Sequence, residues 1–80
     1  MGTYVRYMWT EIRWERVRLG VYQAFDEEGR KVAQIVDVRG TSGVSVGWSV
    51  YIIGDYEPLD DLHPDRESAQ AAAEHALRHR

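Results

Sequence analysis

"ERVRLGVYQAFDEEGRKVAQIVDV", residues 15–38, decides how this chain folds. Its first half alternates, with Val17, Leu19, Val21 and Phe25 in one phase and Arg16, Arg18, Tyr22 and Ala24 in the other. Alternation of period two is the mark of a strand whose two faces differ in burial. Gly20 interrupts it as a candidate bulge or point of close backbone approach. "DEEG", residues 26–29, reads as a hairpin turn, and "KVAQIVDV", residues 31–38, as the returning strand.

The pattern continues on both sides. "RGTSG", residues 39–43, is a second turn. "VGWSVYII", residues 46–53, is a third strand, with Val46, Trp48, Val50 and Ile52 opposed to Ser49, Tyr51 and Ile53. Upstream, "TYVRYMWTEI", residues 3–12, is rich in aromatic and β-branched residues and reads as a first strand. A helix follows the sheet. Asp65 is placed as its N-cap and Glu67 in its first turn. Ala69, Ala72, Ala73, Ala76 and Leu77 then keep the i, i+3, i+4, i+7, i+8 stripe of an amphipathic helix. The expected fold is α+β: an antiparallel sheet of three to four strands with one C-terminal helix packed on one face (β-β-β-β-α). The sheet is expected over about 3–53, an acidic connection over 54–65 and the helix over about 66–79.

An alanine stripe lets a helix lie close to its sheet, so the bulky side chains must come from the sheet. Trp48, Tyr22, Val21 and Ile52 are the residues expected to fill that space. One helix covers one face only, yet several strands carry apolar residues in both phases. The second face is therefore expected to meet a partner or, in a homodimer, a second copy.

Eighty residues are read as a single domain, 1–80, with a thin core. No cysteine is present, which excludes disulfides and thiolate metal sites. No apolar run has the length of a membrane span and the first residues lack a signal-peptide core, so no membrane association and a cytoplasmic location are expected. The net charge of −3 conceals a polarity. Residues 1–25 set Arg6, Arg13, Arg16 and Arg18 against Glu11 and Glu15, a net +2, whereas residues 40–67 carry a net −5.

That acidity is concentrated in "GDYEPLDDLHPDRE", residues 54–67. A calcium loop needs regularly spaced oxygen ligands and an internal glycine, and Pro58 and Leu59 break that spacing. The acids fit either a solvated, helix-capping connection or a surface that imitates the phosphates of nucleic acid. In the second case Asp55, Glu57, Asp60 and Asp61 are the partner-binding residues. The opposing signal is Trp9, Arg13, Trp14, Arg16, Arg18 and Tyr22, which together offer stacking rings and phosphate contacts for a nucleic acid or another partner. The same interleaving suits a solvent-facing strand whose guanidinium groups lie on indoles.

His75 and His79 stand one helical turn apart, a spacing that can chelate a metal. Glu74 precedes His75 in "EHALRH", however, unlike the protease helix pattern, and histidines also suit the negative end of a helix. No metal or cofactor is expected. Serines 42, 45, 49 and 68 lie in no nucleophile elbow, and "GTSGVSVG" lacks the lysine of a phosphate loop. These readings point away from an enzyme.

Strands followed by one helix, with "GVYQAFDEEGRKVAQI", "GWSVYIIG" and "PDRESAQAAAEHAL" in that order, resemble small phage-encoded accessory proteins, and among them anti-CRISPR proteins. The resemblance implies a non-enzymatic inhibitor that binds a host RNA-guided surveillance complex and blocks its DNA binding sterically or electrostatically. The chain is also similar in part to phage integrase arm-binding domains, which read DNA with a sheet, and to β-β-β-α antitoxins. Those resemblances imply a nucleic-acid-binding module. Double-stranded RNA-binding domains share the layout, but "PDRES" stands where they carry phosphate-binding lysines.

Overall fold

The computed structural model describes residues 11–54 and 59–79, apart from the side chains of Asp60 and Asp61. It contains β1 (Arg13–Arg18), β2 (Val21–Phe25), β3 (Lys31–Arg39), β4 (Ser45–Ile52), β5 (Leu59–His63) and α1 (Arg66–Arg78). The strands form one antiparallel sheet in the order β1-β2-β3-β4-β5, an uninterrupted meander. The α+β architecture expected from the sequence is the one observed, with five described strands rather than three or four.

Two expectations about where the strands lie need correction. The alternating run of residues 15–25 is two strands joined by a tight turn at Leu19 and Gly20, not one. Gly20 adopts φ +78° there, and a Cβ on it would stand 3.3 Å from the Cβ of Asp37. The backbone of β3 comes that close because the Asp37 N–H donates to the Gly20 carbonyl at 2.8 Å. The second correction lies in the acidic connection, where residues 59–63 form β5 and pair with β4. Of the first strand expected over residues 3–12, residues 3–10 lie outside the described residues.

The turns at 26–29 and 39–43 stand where expected. The Gly29 N–H donates to the Asp26 carbonyl at 3.0 Å, and Gly43 N–H donates to the Gly40 carbonyl at 3.0 Å. Asp26 is buried in its turn, and its carboxylate accepts from the backbone N–H groups of Glu28 and Arg30, each at 2.9 Å. These bonds use an acid to satisfy backbone donors that a tight turn would otherwise leave unpaired.

Register separates the two faces. Tyr22 pairs with Ile35, Ala24 with Ala33, Ile35 with Val50 and Ala33 with Ile52, so these side chains share one face. Trp14 and Trp48 belong to it, opposite Ala24 and Asp37. α1 covers this face with Ala69, Ala73 and Leu77, and together they make the buried core. Ile35 and Val50 are its largest fully enclosed side chains, each worth about 1.5–3 kcal/mol of transfer free energy. Val21 pairs with Val36 and so lies on the opposite face, not among the residues that fill the space under the helix. Val46 also leaves its expected phase. The register slips between Val38 and Arg39, which makes Val46 an extra residue in β4 and leaves it exposed.

α1 starts as the sequence indicates. Asp65 is extended, with φ −149° and ψ 173°, and its side chain accepts from the Ser68 N–H at 2.7 Å. Among the described residues no helix is long and apolar enough to cross a membrane.

Candidate functional site

The acids proposed for partner binding fall into two groups. Asp55 and Glu57 lie outside the described residues. Asp60 and Asp61 sit on the backbone of β5, an edge strand, instead of in a loop. The remaining acids serve the helix: Asp65 caps it and Glu67 lies in its first turn. The Ser68 N–H holds the Asp65 carboxyl below its ordinary value. Among the described residues no group of three or more His, Asp or Glu side chains is placed to hold a metal ion.

The arginine–aromatic set is divided. Trp9 lies outside the described residues. Trp14 faces the helix, where its indole N–H donates to Glu74 at 2.8 Å. Tyr22 is on the same face; its hydroxyl accepts from Arg66 at 2.9 Å, and that guanidinium lies 5.0 Å over its ring. The Tyr22 ring also stands 6.0 Å from that of Trp48. These rings fasten the helix to the sheet. Arg13 projects from the other face, paired with Glu15 at 3.0 Å and lying 5.4 Å over Phe25. Arg16 and Arg18 are exposed and make no ion pair among the described residues. Arg13 is separated from the rings by strand alternation, whereas Arg16 pairs with Tyr22 and shares their face, where Trp14 and Tyr22 are already engaged by Glu74 and Arg66 of α1.

One surface went unread in the sequence. Among the described residues six large apolar side chains are exposed, and five of them, Val17, Leu19, Val44, Val46 and Leu62, lie toward one end of the sheet. The meander explains it. β1, β3 and β5 all run toward that end, so the β1–β2 turn, the β3–β4 turn and the end of β5 lie along it. Leu19 is 82% exposed at the tip of its turn. The available signal was local: Leu19 precedes Gly20, Val44 follows Gly43 and Val46 precedes Gly47. Gly20 and Gly43 are turn glycines, whereas Gly47 lies in β4 beside the bulge at Val46.

The same end is held by a half-buried acid. Asp37 accepts from the Ser45 hydroxyl and, at 2.8 and 3.1 Å, from the Arg39 guanidinium. Arg39 also donates to the Gly43 carbonyl at 2.9 Å. The serine hydroxyl is the main reason the Asp37 carboxyl is held below its ordinary value, and Arg39 adds to it. Side-chain bonds thus tie the β3–β4 tip to its own strands. The Asp37 N–H bond to Gly20 ties it to the β1–β2 turn. At the neighbouring edge, Leu62 lies over Gly47, where a Cβ would stand 2.8 Å from the Leu62 Cβ. The exposed aliphatic cluster is therefore presented on a braced frame.

The opposite end offers a shallow cavity of about 330 Å³ floored by Val32, Ile52 and Leu77. Arg30 on its rim is already engaged by Asp26 and Glu28, each at 3.0 Å. That leaves little to orient a ligand.

Comparison of the chain with protein-family models, with curated proteins and with solved structures finds no match.

Proposed function

We propose that this protein is a non-enzymatic inhibitor that binds another protein through the exposed aliphatic end of its sheet. The observation that carries this reading is the gathering of Val17, Leu19, Val44, Val46 and Leu62 on the braced ends of neighbouring strands. Exposed apolar side chains presented at one end of a sheet offer a surface of the kind that marks interaction sites. A frame that is rigid before binding lowers the ordering cost of association.

The partner in this reading is a host RNA-guided surveillance complex, as the likeness to anti-CRISPR proteins implies, and the setting is the cytoplasm of a bacterial cell. Contact at the aliphatic end would block DNA sterically. Asp60 and Asp61 on the nearby edge strand would add electrostatic exclusion of DNA. The division of Trp14 and Tyr22 from Arg13 argues against the alternative in which the sheet itself binds nucleic acid.

A gel shift of target DNA by a purified surveillance complex, with and without this protein, tests the proposal. Loss of the complex's shift, with no shift by the protein alone, is the expected result. An unchanged complex shift overturns the inhibitor reading, and a shift by the protein alone overturns it in favour of nucleic-acid binding.

A further inference from the structure

We propose that His75 and His79 form a chelate site for a divalent transition metal, Ni²⁺ or Cu²⁺, on the last turns of α1. The spacing alone is common in helices. What argues for a site is that the two rings approach to 4.3 Å between centroids, tilted by 36°, while both residues remain exposed. Neither ring makes a hydrogen bond among the described residues, so each retains a nitrogen able to act as a ligand.

The geometry indicates which metals fit. An ion about 2.0–2.1 Å from a ligating nitrogen lies roughly 3.2 Å from that ring's centre. Centres 4.3 Å apart lie within twice that distance, so both rings can reach one ion by turning about their side-chain bonds. A pair of imidazoles with water in the other positions suits the tetragonal preference of Cu²⁺ and Ni²⁺, with Cu²⁺ the tighter. The two imidazoles leave the other positions to water, which makes the site open and exchangeable. Hard cations such as Ca²⁺, which require several oxygen ligands, do not fit it.

The surroundings favour a cation. Both rings sit at the end of the helix where the macrodipole is negative. The cationic side chain of Arg78, next to His79 in sequence, is drawn to Glu74 at 3.1 Å. Glu74 is itself fixed by the Trp14 indole at 2.8 Å. Leu77 is buried between the two histidines, and the His79 N–H donates to the Ala76 carbonyl at 3.3 Å. These contacts hold the backbone of the last turn before any ion arrives, so binding has little ordering to do.

The test is calorimetric titration of NiCl₂ and CuCl₂ into the tag-free full chain, with thermal denaturation in parallel. The expected result is one ion per chain, Cu²⁺ tighter than Ni²⁺, no heat with CaCl₂, and a metal-dependent rise in melting temperature. His75→Ala and His79→Ala should each weaken binding by about tenfold or more and abolish that rise. Both residues are exposed, so neither variant is expected to unfold. Failure of the parent to bind overturns the proposal. So does parent-like affinity in either variant, or dependence on His63 instead, tested with His63→Asn.

Discussion

The two faces of the sheet are built from the same strands and the same alternation, yet they differ in what covers them. On one, Trp14, Tyr22, Ile35, Trp48, Val50 and Ile52 meet the alanines of α1. On the other, Gln23 bonds to Gln34 at 2.8 Å in a row that Glu15 and Tyr51 extend, beside the pair Val21 and Val36. The difference teaches that periodicity locates a strand, whereas the covering element decides which phase becomes core. Ile35 and Val36 put the comparison to the sharpest test because they are neighbours in β3 on opposite faces. Ile35→Ala should cost about 3 kcal/mol in urea denaturation, from lost transfer energy and the cavity left behind. Val36→Ala should cost about 1 kcal/mol. Equal losses would show the second face packed as tightly as the first, and would remove the contrast.

A smaller effect is expected at the β4–β5 edge. Gly47 adopts φ +143°, and a Cβ there would stand 2.8 Å from the Leu62 Cβ and 3.1 Å from the His63 carbonyl oxygen. Gly47→Ala should cost about 2 kcal/mol from backbone strain and displaced β5. Hydrogen exchange would localise the loss to residues 59–63, with the pairing of β2 and β3 retained. Faster exchange throughout the sheet would mean instead that β5 is integral to the whole core.

Acid should act on the rim of the covered side. Asp26, Asp37 and Asp65 are each held below their ordinary 3.8, chiefly by the Arg30 N–H, the Ser45 hydroxyl and the Ser68 N–H respectively. A folded-state value below the unfolded one contributes stability that is complete above 3.8 and is lost as pH falls through the lowered value. The melting temperature should therefore fall on going from pH 5 to pH 3. Asp65→Ala should lower it at neutral pH by less than Gly47→Ala, through loss of the cap. A melting temperature in Asp65→Ala with the parent's full acid sensitivity would assign that sensitivity to Asp26 and Asp37 alone.

How much was legible follows from these residues. β3, β4 and α1 could be read because alternation over 31–38 and 48–52, and the alanine stripe after Asp65, each match one period. The β1–β2 hairpin could not be read so easily. A two-residue turn inverts parity, but the bulge at Val17 restores it, so residues 13–16 and 22–25 keep one alternation across the reversal and only Gly20 marks the turn. β5 was hidden for a different reason. "LDDLH" has little strand propensity, and its conformation is supplied by pairing with β4. The division of Arg13 from the rings was implicit in strand alternation, since Arg13 and Trp14 are consecutive. The aliphatic end was not, because it arises only when separate turns are brought together by the meander.

That end supplies the smallest expected effect on stability and the most direct bearing on function. Leu19 and Val46 are 82% and 56% exposed, so replacing either by Asp removes little buried area and should change stability by no more than about 0.5 kcal/mol. In the inhibitor reading the same Leu19→Asp and Val46→Asp substitutions should restore DNA binding by the surveillance complex, because a carboxylate desolvated against an apolar contact is costly. Charge reversal of Asp60 and Asp61 probes the other contribution, and its effect should grow at low salt, where screening is least. Stable variants that lose inhibition through Leu19 or Val46, but keep it after reversal of Asp60 and Asp61, would assign the contact to the aliphatic end. The opposite pattern would assign it to the acidic edge. Inhibition that survives both sets would move the contact to the sheet face carrying Gln23, Gln34 and Tyr51, where the comparison of the two faces began.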